Sequence, residues 1–167
     1  AGSNGAVTLC STSPNENRFA HLGGTPSTGG VWTKPGGGVL AGGIYHPADP
    51  LDPAGVYTYT ITGTSPCPNV TATVQVVEHQ APRAGTDGST IVCSTGSAFG
   101  LARILGGTVD ADGSWINADG STSSPTFTPG TSAPGPYRYV VPGISPCPND
   151  TSVATVNVVT APVAGSN

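Results

Sequence analysis

Almost every distinctive string in this chain occurs twice. Cys10-Ser11-Thr12, Leu22-Gly23-Gly24-Thr25, Trp32 and Ser65-Pro66-Cys67-Pro68-Asn69 return in the same order as Cys93-Ser94-Thr95, Leu105-Gly106-Gly107-Thr108, Trp115 and Ser145-Pro146-Cys147-Pro148-Asn149. The copies open at Ala1-Gly2-Ser3-Asn4 and Ala84-Gly85-Thr86-Asp87, 83 residues apart, and Ala164-Gly165-Ser166-Asn167 restates the opening 80 residues further on. A chain that repeats itself at this period folds as a row of similar modules and works by presenting similar surfaces, not by housing one active site. The expected division is residues 1–82, residues 83–163, and residues 164–167 as the start of a further copy in a longer array.

A module of about 80 residues buries only ~60–65% of the surface of its unfolded chain, so a covalent staple helps it. Four cysteines are available, and four thiols allow three pairings. Each copy has one cysteine near its start and one near its end, which favours Cys10–Cys67 and Cys93–Cys147. Each bridge would close a loop of somewhat over fifty residues, worth roughly 4 kcal/mol in the chain-entropy account. Paired cysteines belong to an oxidising compartment, outside the cytoplasm. No two cysteines stand at the C-x2–4-C spacing of a zinc site.

Charged residues make up 8% of the chain, and the net charge is −4. Neither nucleic acid nor an anionic membrane is an expected partner for such a surface. No apolar run approaches the ~20 residues that span a bilayer, so direct membrane insertion is not expected. Glycine (25) and proline (17) punctuate short runs of Val, Thr and Tyr, which is a pattern of strands and turns. The clearest strand is Val56–Thr62, which alternates Tyr57, Tyr59 and Ile61 on one face; its twin is Tyr137–Val141. Thr71–Val77 and Thr155–Val159 follow, with the Ser-Pro-Cys-Pro-Asn segment as the hairpin loop before each. Ala6–Cys10, Ser89–Cys93, Val31–Thr33, Ser114–Ile116, Ile44–Tyr45 and Thr126–Phe127 complete the set. Glycines limit Phe99–Leu105, the best helical stretch, to a turn or two. The expected fold is all-β: two tandem immunoglobulin-like antiparallel β-sandwich repeats, each with one internal disulfide. Proline stiffens the connection Gln80–Ala84 and its echo Thr160–Ala164.

Candidate sites are few. His21, His46 and His79 all fall in the first copy, so nothing the copies share uses a histidine base or ligand. No G-x-S-x-G motif or phosphate-cradling loop occurs, and no enzymatic activity is expected. Asp110-Ala111-Asp112-Gly113 with Asp119 resembles the start of a calcium loop, but Ser121 stands where the bidentate acid belongs, and neither calcium nor another cofactor is expected. Trp32 and Trp115 occupy matching places; they are expected in the core, and the alternative is a stacking platform for sugar rings. Asn69-Val70-Thr71 and Asn149-Asp150-Thr151 are N-x-[ST] triplets beside the cysteine loop and are candidate sites of covalent glycans. Lys34 is the sole lysine and its equivalent is Asn117, which excludes a Lys–Asn isopeptide cross-link in every copy.

Together the strings A-G-x-[ND]-G, C-S-T, L-G-G-T, G-x-W, Y-x-Y and S-P-C-P-N, read over both copies, resemble the tandem Ig-like repeats of very large Bacteroidetes surface proteins, including gliding-motility-associated adhesins. The resemblance covers the whole chain. It implies an extracellular or cell-surface location, export by the type IX route, and a role in adhesion or as a fibrous stalk. It also implies that Cys10, Cys67, Cys93 and Cys147 are staples and that Trp32, Trp115, Tyr57, Tyr59, Tyr137 and Tyr139 form the core. The function expected is therefore a structural repeat unit of an extracellular fibre, filament or adhesin stalk, with copies of itself as partners and with Asn69, Asn149, Thr71 and Thr151 as candidate glycan sites. The alternative is a carbohydrate-binding module in which Trp32 and Trp115 meet surface glycans.

Overall fold

A computed structural model describes residues 1–163; the expected start of a further copy at residues 164–167 lies outside them. The chain divides into two compact units, one comprising Ala1–Ala81 with Ile144–Cys147, the other Pro82–Gly143 with the chain from Pro148 on. The first contains strands β1 (Gly5–Cys10), β2 (Glu16–Asn17), β3 (Val31–Thr33), β4 (Val39–Leu40), β5 (Ile44–Tyr45), β6 (Gly55–Ile61) and β7 (Val70–His79). The second contains β8 (Gly88–Cys93), β9 (Phe99–Gly100), β10 (Ser114–Ile116), β11 (Thr126–Phe127), β12 (Gly135–Val141) and β13 (Asp150–Val159). In the first unit a sheet of order β1-β7-β6-β3-β4 faces the small pair β2-β5; in the second, β10-β12-β13-β8 faces β9-β11. The only helical segment near Phe99 is one 3-10 turn, Leu101–Ile104, matched by Arg18–His21.

Alternation decides which side chains form the core. Tyr57 and Tyr59 on β6 point inward and lie opposite Val74 and Ala72 of β7, all four buried. Tyr137 and Tyr139 stand in the same register against Ala154 and Ser152. Large rings facing small residues across a strand pair interdigitate without overpacking. Each buried phenol still needs a partner, and each finds one in the backbone: Tyr59 Oη donates to the Ser27 carbonyl at 2.9 Å, and Tyr139 Oη to that of Asp110 at 2.6 Å. The same hydroxyls accept from the amides of Gly30 and Gly113, where a Cβ would lie 2.4 and 2.3 Å from the tyrosine ring. That close approach accounts for the glycine ahead of each tryptophan strand.

The repeated opening motif is one half of a clasp. Ser3 and Gly23 exchange two backbone hydrogen bonds of 2.9 and 3.0 Å, and Thr86 and Gly106 do the same. Gly2 and Gly85 sit at φ 84° and 85° with no room for a side chain against the carbonyls of Gly23 and Gly106. Asn4 Oδ1 and Asp87 Oδ1 accept from the amides of Thr73 and Val153, which sets β1 and β8 beside the last strands. A-G-x-[ND] and L-G-G-T are thus two sides of one contact.

Two expectations need correction. The sandwich is not antiparallel throughout: β1 pairs in parallel with β7, and β8 with β13. The opening clasp delivers the first strand to the free edge of the last one, and both then run towards the same end of the sheet. That direction also overturns the pairing Cys10–Cys67 and Cys93–Cys147. Cys10 lies opposite His79, the final residue of β7, whereas Cys67 precedes Val70, its first. At about 3.3 Å per residue the strand holds the two cysteines roughly 30 Å apart, and a disulfide spans a Cα separation of only about 5–6 Å. Cys93, opposite Val159, is held off Cys147 by β13 in the same way. The bond that forms is Cys10–Cys147, with Cα atoms 4.9 Å apart and a sequence separation of 137. Cys67 and Cys93 are free and exposed.

Candidate functional site

The C-S-T motif is a frame that ties the end of each first strand to the exit of the last. In the first unit Ser11 N donates to the His79 carbonyl at 2.9 Å and Ser11 Oγ accepts from Ala81 N at 2.9 Å. In the second, Ser94 N donates to the Val159 carbonyl at 2.9 Å and Ser94 Oγ accepts from Ala161 N at 2.9 Å. The next hydroxyl lies 3.3 Å from the sulfur at Cys10 (Thr12 Oγ1) and 3.2 Å at Cys93 (Thr95 Oγ1). Hydrogen bonds from Thr95 and Ser94 hold the Cys93 thiol below its ordinary pKa. The frames match, but their occupancy does not. Cys10 is 3% exposed and bonded to Cys147, itself 5% exposed, whereas Cys93 is open.

The Ser-Pro-Cys-Pro-Asn loop is equally uniform. Cys67 N donates to the Thr64 carbonyl at 2.8 Å, and Cys147 N to that of Ile144 at 2.9 Å. Asn69 Oδ1 accepts from Gly63 N at 2.9 Å, and Asn149 Oδ1 from Gly143 N at 3.0 Å. The Ser65–Pro66 and Ser145–Pro146 peptides are both cis. The asparagines therefore brace the loop through oxygen, and the amide nitrogen, the atom that carries an N-glycan, stays outside that bond. Asn69, Asn149, Thr71 and Thr151 are all exposed.

Trp32 and Trp115 are buried, 5% and 6% exposed, each tilted on a core tyrosine with ring centroids 5.0 and 4.8 Å apart. Stacking on a sugar needs an open ring face. Neither indole has one, which removes the sequence-based ground for a sugar platform at these residues.

Sequence reasoning missed a polar cluster in the first unit. Arg18 is fully buried, with its guanidinium carbon 3.8 Å from the Tyr57 ring centre and 4.8 Å from that of Tyr45, and no protein group accepts from its nitrogens. Burial pulls its pKa down. Tyr45 Oη donates to Glu78 Oε2 at 2.6 Å, and burial together with that bond raises its pKa. Asp52 is buried too, with Lys34 Nζ at 2.6 Å and His46 Nδ1 at 2.7 Å. Burial alone would raise the Asp52 pKa, but the hydrogen bonds from Lys34 and His46 outweigh it and the net direction is down. The second unit has Leu101 where the first has Arg18, the two heading otherwise matched 3-10 turns. That exchange, visible when the copies are aligned, was the available signal.

His46, Asp49 and Asp52 bring ligand atoms within 4.8 Å of one another, the one such group among the described residues. Lys34 already supplies a positive charge there. Asp110, the first residue of the calcium-like string, is engaged instead by Arg83, whose Nη2 and backbone amide lie 2.8 and 2.9 Å from its carboxylate oxygens. Asp119 accepts from Ser121.

Strand order, the paired sheets and the buried tyrosine–tryptophan cores define a tandem of immunoglobulin-like β-sandwich modules. Among solved structures, a three-domain immunoglobulin fragment of titin (an E-to-A variant) is similar over 95% of this chain and 64% of its own, with TM-score 0.54 and 12% identity. The insect immune protein hemolin is similar over 94% of this chain and 46% of its own, with TM-score 0.56 and 11% identity. The chain thus spans less than two thirds of either, and at such identity the likeness is one of fold. No protein-family model and no curated protein matches the chain.

Proposed function

We propose that this chain is a structural repeat pair from an extracellular fibre or adhesin stalk on a bacterial surface, of the kind implied by its resemblance to Bacteroidetes surface proteins. One observation carries the reading: the disulfide joins a cysteine of the first copy to a cysteine of the second, 137 residues on. Such a bond does for a load-bearing array what a bond inside each module would not. Tension applied to the two ends can draw out only the chain before Cys10 and after Cys147 before it meets the S–S bond, and everything between the two cysteines is shielded. That bond supports an oxidising, extracellular location, and the low charge and turn-rich surface suit a passive spacer. Glycans on Asn69 and Asn149 would add solubility to a surface with so few charges.

Immunogold electron microscopy of intact source cells, with antibody raised against the folded chain, tests the reading. Label along rods or fibres projecting from the surface is expected. Label confined to the cell interior overturns it.

A further inference from the structure

Each copy carries two halves of one junction: a C-S-T strand end and a Pro-Cys-Pro loop. The first copy's strand end and the second copy's loop are joined. The first copy's loop, with Cys67, and the second copy's strand end, with Cys93, are bare. The two leftover halves have the backbone hydrogen bonds of the two that joined, so neither needs to reorganise before it binds.

We propose that the Cys93 strand end is a docking site for the Ser65–Asn69 loop of a second copy of this chain, and that Cys93 and that copy's Cys67 join in a disulfide that links chains head to tail. The proposal deepens the fibre reading by naming the partner and the bond. Two observations support it beyond the free thiols themselves. The same motif pair is already bonded in this chain, with both sulfurs buried. Around the bare strand end, Ile91 on the same face of β8 and Val159 directly opposite Cys93 are 71% and 58% exposed, an apolar collar that a docked loop would cover. Cys10 and Cys147 are bonded to each other, which leaves Cys67 and Cys93 as the two free cysteines of the chain. A patch that meets a different patch on the next molecule makes a heterologous contact, which propagates as an open filament unless the rotation closes it.

The chemistry needs an oxidant, and a small-molecule disulfide such as oxidised glutathione supplies it. The Cys93 thiolate, favoured by the hydrogen bond from Thr95, attacks that disulfide and releases one thiol. The Cys67 thiolate of the second copy then attacks the mixed disulfide at Cys93 and releases the other. Two protons and two electrons leave the protein, one S–S bond forms, and two molecules of reduced glutathione result.

The test uses the full chain in a glutathione redox buffer, with non-reducing electrophoresis and mass spectrometry of proteolytic peptides. The wild-type chain is expected to give a ladder of multiples of 16.4 kDa, with a Cys67–Cys93 peptide pair between chains. Cys67→Ser and Cys93→Ser each stay monomeric, and an equimolar mixture of the two gives dimers containing one of each and nothing longer. The Cys10–Cys147 peptide, checked in every variant, shows that the fold is intact. Homodimers of either single variant in the yield of the mixture overturn the proposal, as does a Cys67–Cys93 bond within one chain or a wild-type chain that stays monomeric. Monomers alone would leave a single-chain stalk standing, whereas the stalk reading itself fails on the cell micrographs.

Discussion

Stretching a single oxidised chain by its two ends discriminates directly between the disulfide seen here and the one each module would need for itself. Cys10–Cys147 closes off 137 residues, so only 30 of the 167 can be drawn out. At about 3.5 Å per extended residue the contour length is about 105 Å. Bonds Cys10–Cys67 and Cys93–Cys147 would hide 57 and 54 residues and leave 56 free, or about 200 Å. Full reduction frees all 167, about 580 Å, in two unfolding steps of similar size. Force spectroscopy on the chain held through terminal tags, before and after a reducing agent, reads these lengths with ample margin. An oxidised contour length near 200 Å would refute the topology on which the load-bearing argument rests. The same bond predicts a large thermodynamic effect, because closing so long a loop restricts the unfolded chain by up to about 5 kcal/mol in the chain-entropy account. Reduction should therefore shift the denaturation midpoint sharply down.

Three further outcomes are expected. Arg18→Leu, which copies the second unit's Leu101, should be neutral or stabilising by about 1 kcal/mol, since it removes a buried guanidinium without acceptors; a loss of more than about 2 kcal/mol in chemical denaturation would show that its contact with Tyr57 dominates. Because the folded-state pKa of Asp52 is depressed, its contribution is fully present above the unfolded carboxylate pKa of about 3.9 and is lost as pH falls through the lower folded value. The acid limb of a stability profile should accordingly flatten in Asp52→Asn, and an unchanged acid limb would count against the Lys34–Asp52–His46 cluster. Trp32 and Trp115 should emit at the blue end of the tryptophan range, resist aqueous quenchers and show no change with added oligosaccharides; sugar-dependent emission would reopen the carbohydrate-binding alternative.

The sequence by itself determined a good deal. The repeat, the strand alternation of Tyr57-x-Tyr59 and Tyr137-x-Tyr139, the burial of the tryptophans and the sandwich class are all local or periodic properties. Period-two burial and turn residues can be read one segment at a time, because they depend on each strand having one face in a core. Tertiary structure decided which edge each first strand joins and in which direction. Strings such as A-G-x-[ND] carry no visible sign that their amides will clasp a glycine some twenty residues on. That parallel placement puts the two cysteines of each copy at opposite ends of one ten-residue strand, so matching positions in the sequence, which favoured pairing within a copy, in fact exclude it. The rigid length of a β-strand, a property of the folded sheet and not of any residue, sends each sulfur to look for a partner beyond its own copy.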